Sequence, residues 1–125
     1  MQRIGFLMLA ASLLFSLSGC SDAKQRQESA TNMKGLLLGI LTYQSEQKKW
    51  PDSLADLKPV VGAEVYAVYI KNPLTGDNPG YEYVKPPEVP ESSEKTVVLY
   101  QLRGGKRDET LKLGYLDGTV RDKET

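Results

Sequence analysis

The stretch "MKGLLLGILTYQ", residues 33–44, decides the fold of this chain. Its apolar residues recur at the i, i+3, i+4, i+7, i+8 spacing of one helix face: Met33, Leu36, Leu37, Ile40 and Leu41. We therefore predict an amphipathic helix that begins between Ala23 and Thr31 and ends near Lys48. The end is set by Trp50, because a residue that precedes a proline is pushed out of helical backbone.

Two glycines, Gly35 and Gly39, interrupt the same stretch at G-x-x-x-G spacing. Inside a membrane this spacing favours close pairing of two helices. The apolar stretch is far too short to span a bilayer. We therefore expect the glycines to let the helix pack closely on a sheet, at some cost in helix propensity.

The segments after the helix read mainly as turns and strands. We expect a short turn through Leu57 that Pro59 ends. Residues 65–71, which are rich in β-branched and aromatic side chains, read as an extended segment, with a helical turn as the alternative. Residues 81–85 and 96–103 read as strands, and Asp117-Gly118 reads as the turn of a terminal hairpin. The predicted fold is α+β: one N-terminal helix packed on an antiparallel sheet of three to four strands.

The composition excludes some classes of function. The chain has 16 basic and 16 acidic residues, so no overall field favours nucleic acid. It has no histidine, the commonest general base and metal ligand. A Ser-Lys dyad of Ser45 with Lys48 or Lys49 is chemically possible, but we expect no enzymatic activity, no cofactor and no small-molecule ligand.

The N-terminus has the three parts of an export signal. Arg3 supplies the positive charge, residues 4–17 are mostly apolar, and the small residues Ser18 and Gly19 precede the only cysteine, Cys20. A free, unpaired thiol would be unusual in an exported protein.

The segment Leu17-Ser18-Gly19-Cys20 resembles the lipobox of bacterial lipoprotein signal peptides. The resemblance implies cleavage before Cys20, a diacylglycerol and an N-acyl chain on that residue, and a membrane-anchored protein of the cell envelope. Ser21 then favours the outer membrane facing the periplasm, while Asp22 leaves the inner membrane open. The alternative is a general signal peptide in which the cysteine occurs by chance.

The later motifs resemble the globular domain of type II secretion pseudopilins and type IV pilin-like proteins. The matching positions are Tyr43, Trp50-Pro51, residues 53–57, Asn72-Pro73, Gly76, residues 81–83 and Asp117-Gly118. The implied organisation is a signal peptide at 1–19, a lipidated tether or start of a helix at 20–32, and a pilin-like domain at 33–125. The chain lacks the prepilin leader and long apolar helix of that family, so we do not expect ordinary filament assembly.

We predict a non-catalytic structural or protein-interaction role, linked to secretion or pilus-type assemblies, with an envelope protein as partner. The candidate partner surface is formed by the aromatic and proline residues Tyr43, Trp50, Pro86, Pro87 and Pro90.

The alternative is a small calcium- or glycan-binding envelope module. Major pseudopilins bind calcium in a C-terminal acidic loop, and the corresponding acids here are Asp117, Asp122 and Glu124. Calcium prefers six to eight oxygen ligands, so we expect no metal site.

Overall fold

The computed structural model of the protein describes residues 22–90 and 92–123. Helix α1 spans Gln2–Gln47, and its described part begins at Asp22. The elements after it are a 3₁₀-turn (Leu54–Leu57), α2 (Lys58–Val61), α3 (Ala63–Tyr69), β1 (Tyr81–Tyr83), β2 (Val97–Arg103), β3 (Lys106–Arg107), β4 (Leu113–Tyr115) and β5 (Val120–Arg121). The predicted α+β fold, with a long helix and an antiparallel sheet, is confirmed.

All strand pairs are antiparallel, and the sheet has the order β1-β2-β4-β5. The prediction of three to four strands missed β3, a two-residue strand that pairs with the end of β2. The turn between them is made by Gly104 and Gly105, whose φ angles of 62° and 79° lie in the region that glycine adopts without strain. The terminal hairpin around Asp117-Gly118 joins β4 to β5 as expected.

The core lies between α1 and the sheet. The predicted apolar stripe of α1 supplies Met33, Leu36, Leu37 and Ile40, each at most 1% exposed, and β2 supplies Val98 and Leu99. Full burial of each such side chain contributes about 1.5–3 kcal/mol. The periodicity of residues 33–44 therefore identified the buried face correctly.

The first described turns of α1 are exposed. Residues 22–28 are all exposed, and packing begins at the fully buried Ser29, one helical turn before Met33. At 1.5 Å per residue, the exposed helix is about 10 Å long. Within residues 22–90 and 92–123, no helix is both long enough and apolar enough to cross a membrane.

Gly35 and Gly39 of α1 pack against helices instead of the sheet. A Cβ added at Gly35 would lie 2.5 Å from Cε2 of Tyr69, and one added at Gly39 would lie 3.0 Å from Cγ1 of Val61. The expectation that these glycines pack on the sheet is therefore wrong: the close neighbours, Val61 and Tyr69, belong to α2 and α3.

Residues 65–71 belong mainly to helix α3, so the prediction of an extended segment is wrong and its helical alternative is correct. Gly62, with a φ of 94°, precedes the helix, and Glu64 lies in its first turn, where a negative charge is favourable. Tyr66 and Tyr69, three positions apart, both pack on the core from the same face. This packing outweighs the weak preference of valine and tyrosine for strands.

The expectation that Pro59 ends the turn after Leu57 is also wrong. Pro59 lies in the first turn of α2, directly after the 3₁₀-turn. A proline is tolerated there because the N–H that it lacks has no partner within the helix. The chain therefore continues as helix through Val61.

Candidate partner-binding groove

The candidate site begins where α1 ends. Lys48 has a φ of 63°, a left-handed conformation that terminates the helix, and its N–H still donates to the carbonyl of Gln44. Pro51 is buried beneath the turn, and Trp50 is half-buried with its side chain packed against the core. Lys48 and Lys49 are exposed on either side of the bend.

The other side of the site is the loop that leaves β1. Val84 still donates its N–H to Val98 of β2 over 2.8 Å, which extends the ladder by one residue. Pro86, which has no N–H to donate, then turns the chain away from the sheet and is itself buried. Farther along the loop, Val89 is 87% exposed.

Two contacts, which we call the clasp, hold the end of β1 and the start of this loop to the segment that follows α1. The Lys85 Nζ donates to Asp52 Oδ1 over 2.6 Å, and the Tyr83 hydroxyl donates to the Pro51 carbonyl over 2.8 Å. Burial raises the pKa of Tyr83, and the nearby carboxylates of Asp52 and Asp56 raise it further. The hydroxyl therefore stays protonated and keeps its role as donor.

The ion pair of the clasp is exposed to solvent. The hydrogen bond from Lys85 and then its charge lower the pKa of Asp52, and the same hydrogen bond raises the pKa of Lys85. The Lys85 and Asp52 side chains are 50% and 73% exposed. Because solvent screens such a pair, it orients the loop and adds little stability.

Between the two segments lies a cleft of about 440 Å³, which we call the distal groove. Its main lining residues are Lys48, Lys49, Trp50, Lys85, Pro86 and Val89. Gln44 and Glu88 complete it. The groove thus combines a half-buried aromatic ring, an exposed valine and three lysines with one carboxylate. This composition suits binding of a peptide better than chemical catalysis.

A second cleft, of about 530 Å³, lies between the first described turns of α1 and the end of α3. Its charged residues include Lys24 and Glu28, whose side chains face each other at 3.9 Å. Val68 is its exposed apolar residue. Lys71 also lines it, so this cleft carries one net positive charge against two for the distal groove, and it is the weaker candidate for a charged partner.

The structure brings together only part of the predicted partner surface. Trp50 and Pro86 line the distal groove from opposite segments. Tyr43 is half-buried and packs against the core, while Pro87 is exposed and Pro90 half-buried in the same loop. Lys48, Lys49, Lys85 and Val89 line the groove as well, and the predicted partner surface did not include them.

The acids that correspond to the calcium loop of pseudopilins are dispersed in the described structure. The Asp117 carboxylate accepts hydrogen bonds from the N–H and hydroxyl of Thr119, at 3.0 and 2.6 Å, inside its own turn. Asp122 lines a different cleft, beside Arg26 and Arg103. Glu124 lies outside the described residues. In the part of the chain that the structure describes, no three acidic, histidine or cysteine residues cluster in a way that could hold a metal.

The remaining predicted positions bear on anchoring and catalysis. Cys20 and the lipobox-like residues Leu17, Ser18 and Gly19 lie outside the described residues. Ser45 is exposed near the end of α1, and both Lys48 and Lys49 are exposed as well. The geometry therefore gives a Ser-Lys dyad no buried environment.

The structure contains a buried polar network that was not predicted from the sequence. The Ser29 hydroxyl lies 2.8 Å from the Tyr81 hydroxyl and donates to the Gln101 side-chain oxygen over 2.8 Å. The Asn72 amide donates to the same oxygen over 3.0 Å, and the Gln101 amide donates to the Lys112 carbonyl over 3.1 Å.

Ser29, Asn72, Tyr81 and Gln101 are each at most 3% exposed. No buried side-chain nitrogen or oxygen in the described part of the chain lacks a partner. The network is thus fully paired within the domain and has a structural role. No sequence signal identifies it, because its members are isolated polar residues in four separate segments.

No protein-family model, no curated protein and no solved structure matches this chain. The resemblance to lipoproteins and pseudopilins therefore stays a prediction from the motifs. A proposal of function therefore depends on the exposed start of α1 and on the distal groove.

Proposed function

We propose that this protein is a lipid-anchored protein of the bacterial cell envelope with a non-catalytic role in protein interaction. Cys20 carries the diacylglycerol and the N-acyl chain, and the anchor holds the domain at the outer membrane, facing the periplasm. The proposed link to secretion or pilus-type assemblies rests on the resemblance to pseudopilins alone.

The observation that carries the proposal is the position of the lipobox-like segment directly before an exposed helix. Residues 22–28 are all exposed, and Ser29 is the first buried residue of the described part of α1. This arrangement suits a tether that separates a folded domain from a membrane by about 10 Å. A multiply acylated cysteine anchors far more firmly than one chain, since each buried methylene contributes about 0.8 kcal/mol.

The interaction role is supported by the placement of the distal groove. Gln44, at its edge, lies about 33 Å along α1 from Asp22, given the rise of 1.5 Å per residue. A groove at that end of the helix faces away from the proposed anchor. It is therefore accessible to another protein of the envelope.

The non-catalytic role is supported by the chemistry of the chain. It has no histidine, and the proposal assigns its one cysteine to the lipid. The buried serine, Ser29, is held in a network of hydrogen bonds and has no free base beside it.

The experiment that tests the anchor compares the native protein with Cys20→Ala in its bacterial host. Intact mass and membrane fractionation should give a mature chain that begins at Cys20 and carries acyl chains. The substitution should abolish both the added mass and the association with membranes. A native protein without acyl chains would overturn the proposal, as would membrane association that survives in the variant.

A further inference from the structure

We propose that the distal groove binds an extended, acidic segment of an envelope protein, with one apolar side chain of that segment placed between Trp50 and Val89. The inference rests on the proposed function and names the chemistry of the partner.

The charge of the groove favours an acidic occupant. Asp52 is hydrogen-bonded to Lys85, and the charge of Glu88 also acts on Lys85. Neither Lys48 nor Lys49 makes an ion pair with any residue in 22–90 or 92–123, although Lys49 is near enough for its charge to act on Asp52. Two exposed lysines at the rim therefore keep charge available for a partner, which they would attract and orient.

The apolar part of the groove supplies a place for one side chain. Val89 is 87% exposed, and it lines the same cleft as the half-buried ring of Trp50 and the buried Pro86. Tryptophan in such a position is typical of the residues that dominate binding energy at interfaces. A valine beside it would lose contact with water only when an apolar group covers it.

The size and stiffness of the groove favour an extended segment. A volume of about 440 Å³ lies within the usual range of ligand pockets and is too small for a folded domain. Pro86 and Pro87 restrict the loop, and the clasp holds its start, so little ordering is needed on binding.

A membrane surface is the competing occupant, since its anionic headgroups would also attract lysines. The position of the groove argues against it. The groove lies at the opposite end of α1 from the proposed anchor, about 33 Å from Asp22, and so faces away from the membrane that holds the protein.

The test uses the single tryptophan of the chain as a probe, because Trp50 lines the groove. The full-length protein, purified in detergent, is used to select binders from a random dodecapeptide library displayed on phage. Selected peptides are then synthesised and titrated while Trp50 emission is recorded. We expect acidic peptides with an apolar residue among the acids, a blue shift of the emission, and weaker binding at higher salt.

Two variants and a matched control identify the site. We expect Lys48→Glu combined with Lys49→Glu to weaken binding about tenfold or more, and Val89→Asp to do the same. The control combines Lys34→Glu with Lys95→Glu, two exposed lysines that do not line the groove, and should change binding by less than about twofold. Circular dichroism and thermal melting of each variant verify that it is folded.

Several outcomes would overturn the proposal. Peptides without an acidic bias, unchanged Trp50 emission, or equal binding to the Lys48 and Lys49 double variant would each exclude it. The protein is also placed in phosphatidylcholine vesicles with and without phosphatidylglycerol. A shift of Trp50 emission that needs phosphatidylglycerol and both lysines would assign the groove to a membrane surface instead.

The proposed anchor and the proposed partner class can be refuted independently of each other. A protein without acyl chains that binds acidic peptides through the groove would remove the anchor and keep the inferred partner class. An acylated protein whose groove binds no acidic peptide would keep the anchor and remove the partner class.

Discussion

The two ends of the described part of α1 meet the rest of the domain in different ways. Near its start, Ser29 joins β1 and β2 through buried hydrogen bonds in which every side-chain polar atom is paired. At its end, Trp50 lies beside exposed lysines, an exposed valine and an exposed ion pair. We call the end at Ser29 the proximal end. Its buried hydrogen bonds stabilise the domain, whereas the end at Trp50 leaves polar and apolar groups available to a partner.

The comparison implies that substitutions at the proximal end change stability, whereas substitutions at the distal groove change binding. Removing one partner of a buried hydrogen bond leaves the other unsatisfied, at a cost of about 1–3 kcal/mol for each group. Exposed positions such as Val89 carry no such penalty.

The largest expected loss of stability is at Gly80, which joins the buried polar network to the sheet. A Cβ added there would lie 2.3 Å from Cβ of Asn72 and 2.5 Å from its backbone nitrogen. The N–H of Gly80 donates to Ile70 and its carbonyl accepts from Leu102, so neither segment can move freely. We expect Gly80→Ala to lower the free energy of unfolding by about 4 kcal/mol or to prevent folding.

Urea denaturation followed by circular dichroism measures this effect, with Gly76→Ala as the control. Gly76 has a φ of 83°, and an added methyl there would meet open space. The control should cost about 1–2 kcal/mol, the effect of left-handed backbone alone. Equal losses in the two variants would show that the close approach of Gly80 and Asn72 is unimportant.

The next largest effect is expected at Gln101, the centre of the network. Gln101→Leu conserves the volume approximately but leaves Asn72, Ser29 and the Lys112 carbonyl with fewer partners. We expect a loss of about 2–3 kcal/mol in urea denaturation. Gln25→Leu, at an exposed position of α1, should change stability by less than about 0.5 kcal/mol. A loss at Gln101 no larger than this control would remove the contrast between the two ends.

A smaller change of stability is expected at Gly35, which lies between the two ends of α1. Its sign depends on the neighbouring Tyr69. Alanine is the better helix former by about 1 kcal/mol, but its methyl would lie 2.5 Å from the ring of Tyr69. We expect Gly35→Ala to destabilise the protein by about 1 kcal/mol. In the Tyr69→Ala background the clash is absent, so the same substitution should stabilise it. Destabilisation in both backgrounds would contradict the contact.

The smallest effect is expected at the clasp. Since Lys85 lowers the pKa of Asp52 in the folded protein, the ion pair adds stability at pH values above the ordinary aspartate pKa of about 3.9. That contribution is lost as the pH falls through the lower pKa of the folded state. Hydrogen bonds also lower the pKa of Glu82, Asp108 and Asp117, so all four carboxyls titrate in acid.

Comparison of the native protein with Asp52→Asn isolates the contribution of the clasp ion pair to the pH dependence of stability. We expect the native protein to have a slightly larger free energy of unfolding than the variant at neutral pH, and the two to be equal in acid. Urea denaturation at both pH values measures this difference. A stability difference that persists or grows below the pKa of Asp52 in the folded protein would contradict the assignment of this difference to the ion pair with Lys85. A variant as unstable as Gln101→Leu would contradict the division between the two ends.

Local patterns in the sequence were sufficient for much of the fold. The spacing of Met33, Leu36, Leu37 and Ile40 identified the buried face of α1, and residues 81–85 and 96–103 were correctly read as the strands β1 and β2. These predictions succeeded because helix and strand periodicity depend on residues a few positions apart. The turn at Asp117-Gly118 likewise depends on the backbone preferences of adjacent residues.

Local patterns failed where distant residues decide the structure. Residues 65–71 read as extended, yet the packing of Tyr66 on the core and of Tyr69 on Gly35 makes them helical. Of the predicted partner surface, Trp50 and Pro86 line the same groove, whereas no sequence pattern placed Lys48, Lys49 or Val89 in that surface.

The sequence by itself determined the class of fold, the main helix, the principal strands and the lipobox-like segment that suggests an anchor. Only the tertiary structure decided which helices the glycines of α1 contact, which polar residues pair in the core and which side chains form the distal groove. The physical reason is separation along the chain. Ser29 and Gln101, or Trp50 and Pro86, become neighbours only when the burial of the apolar stripe brings α1 onto the sheet.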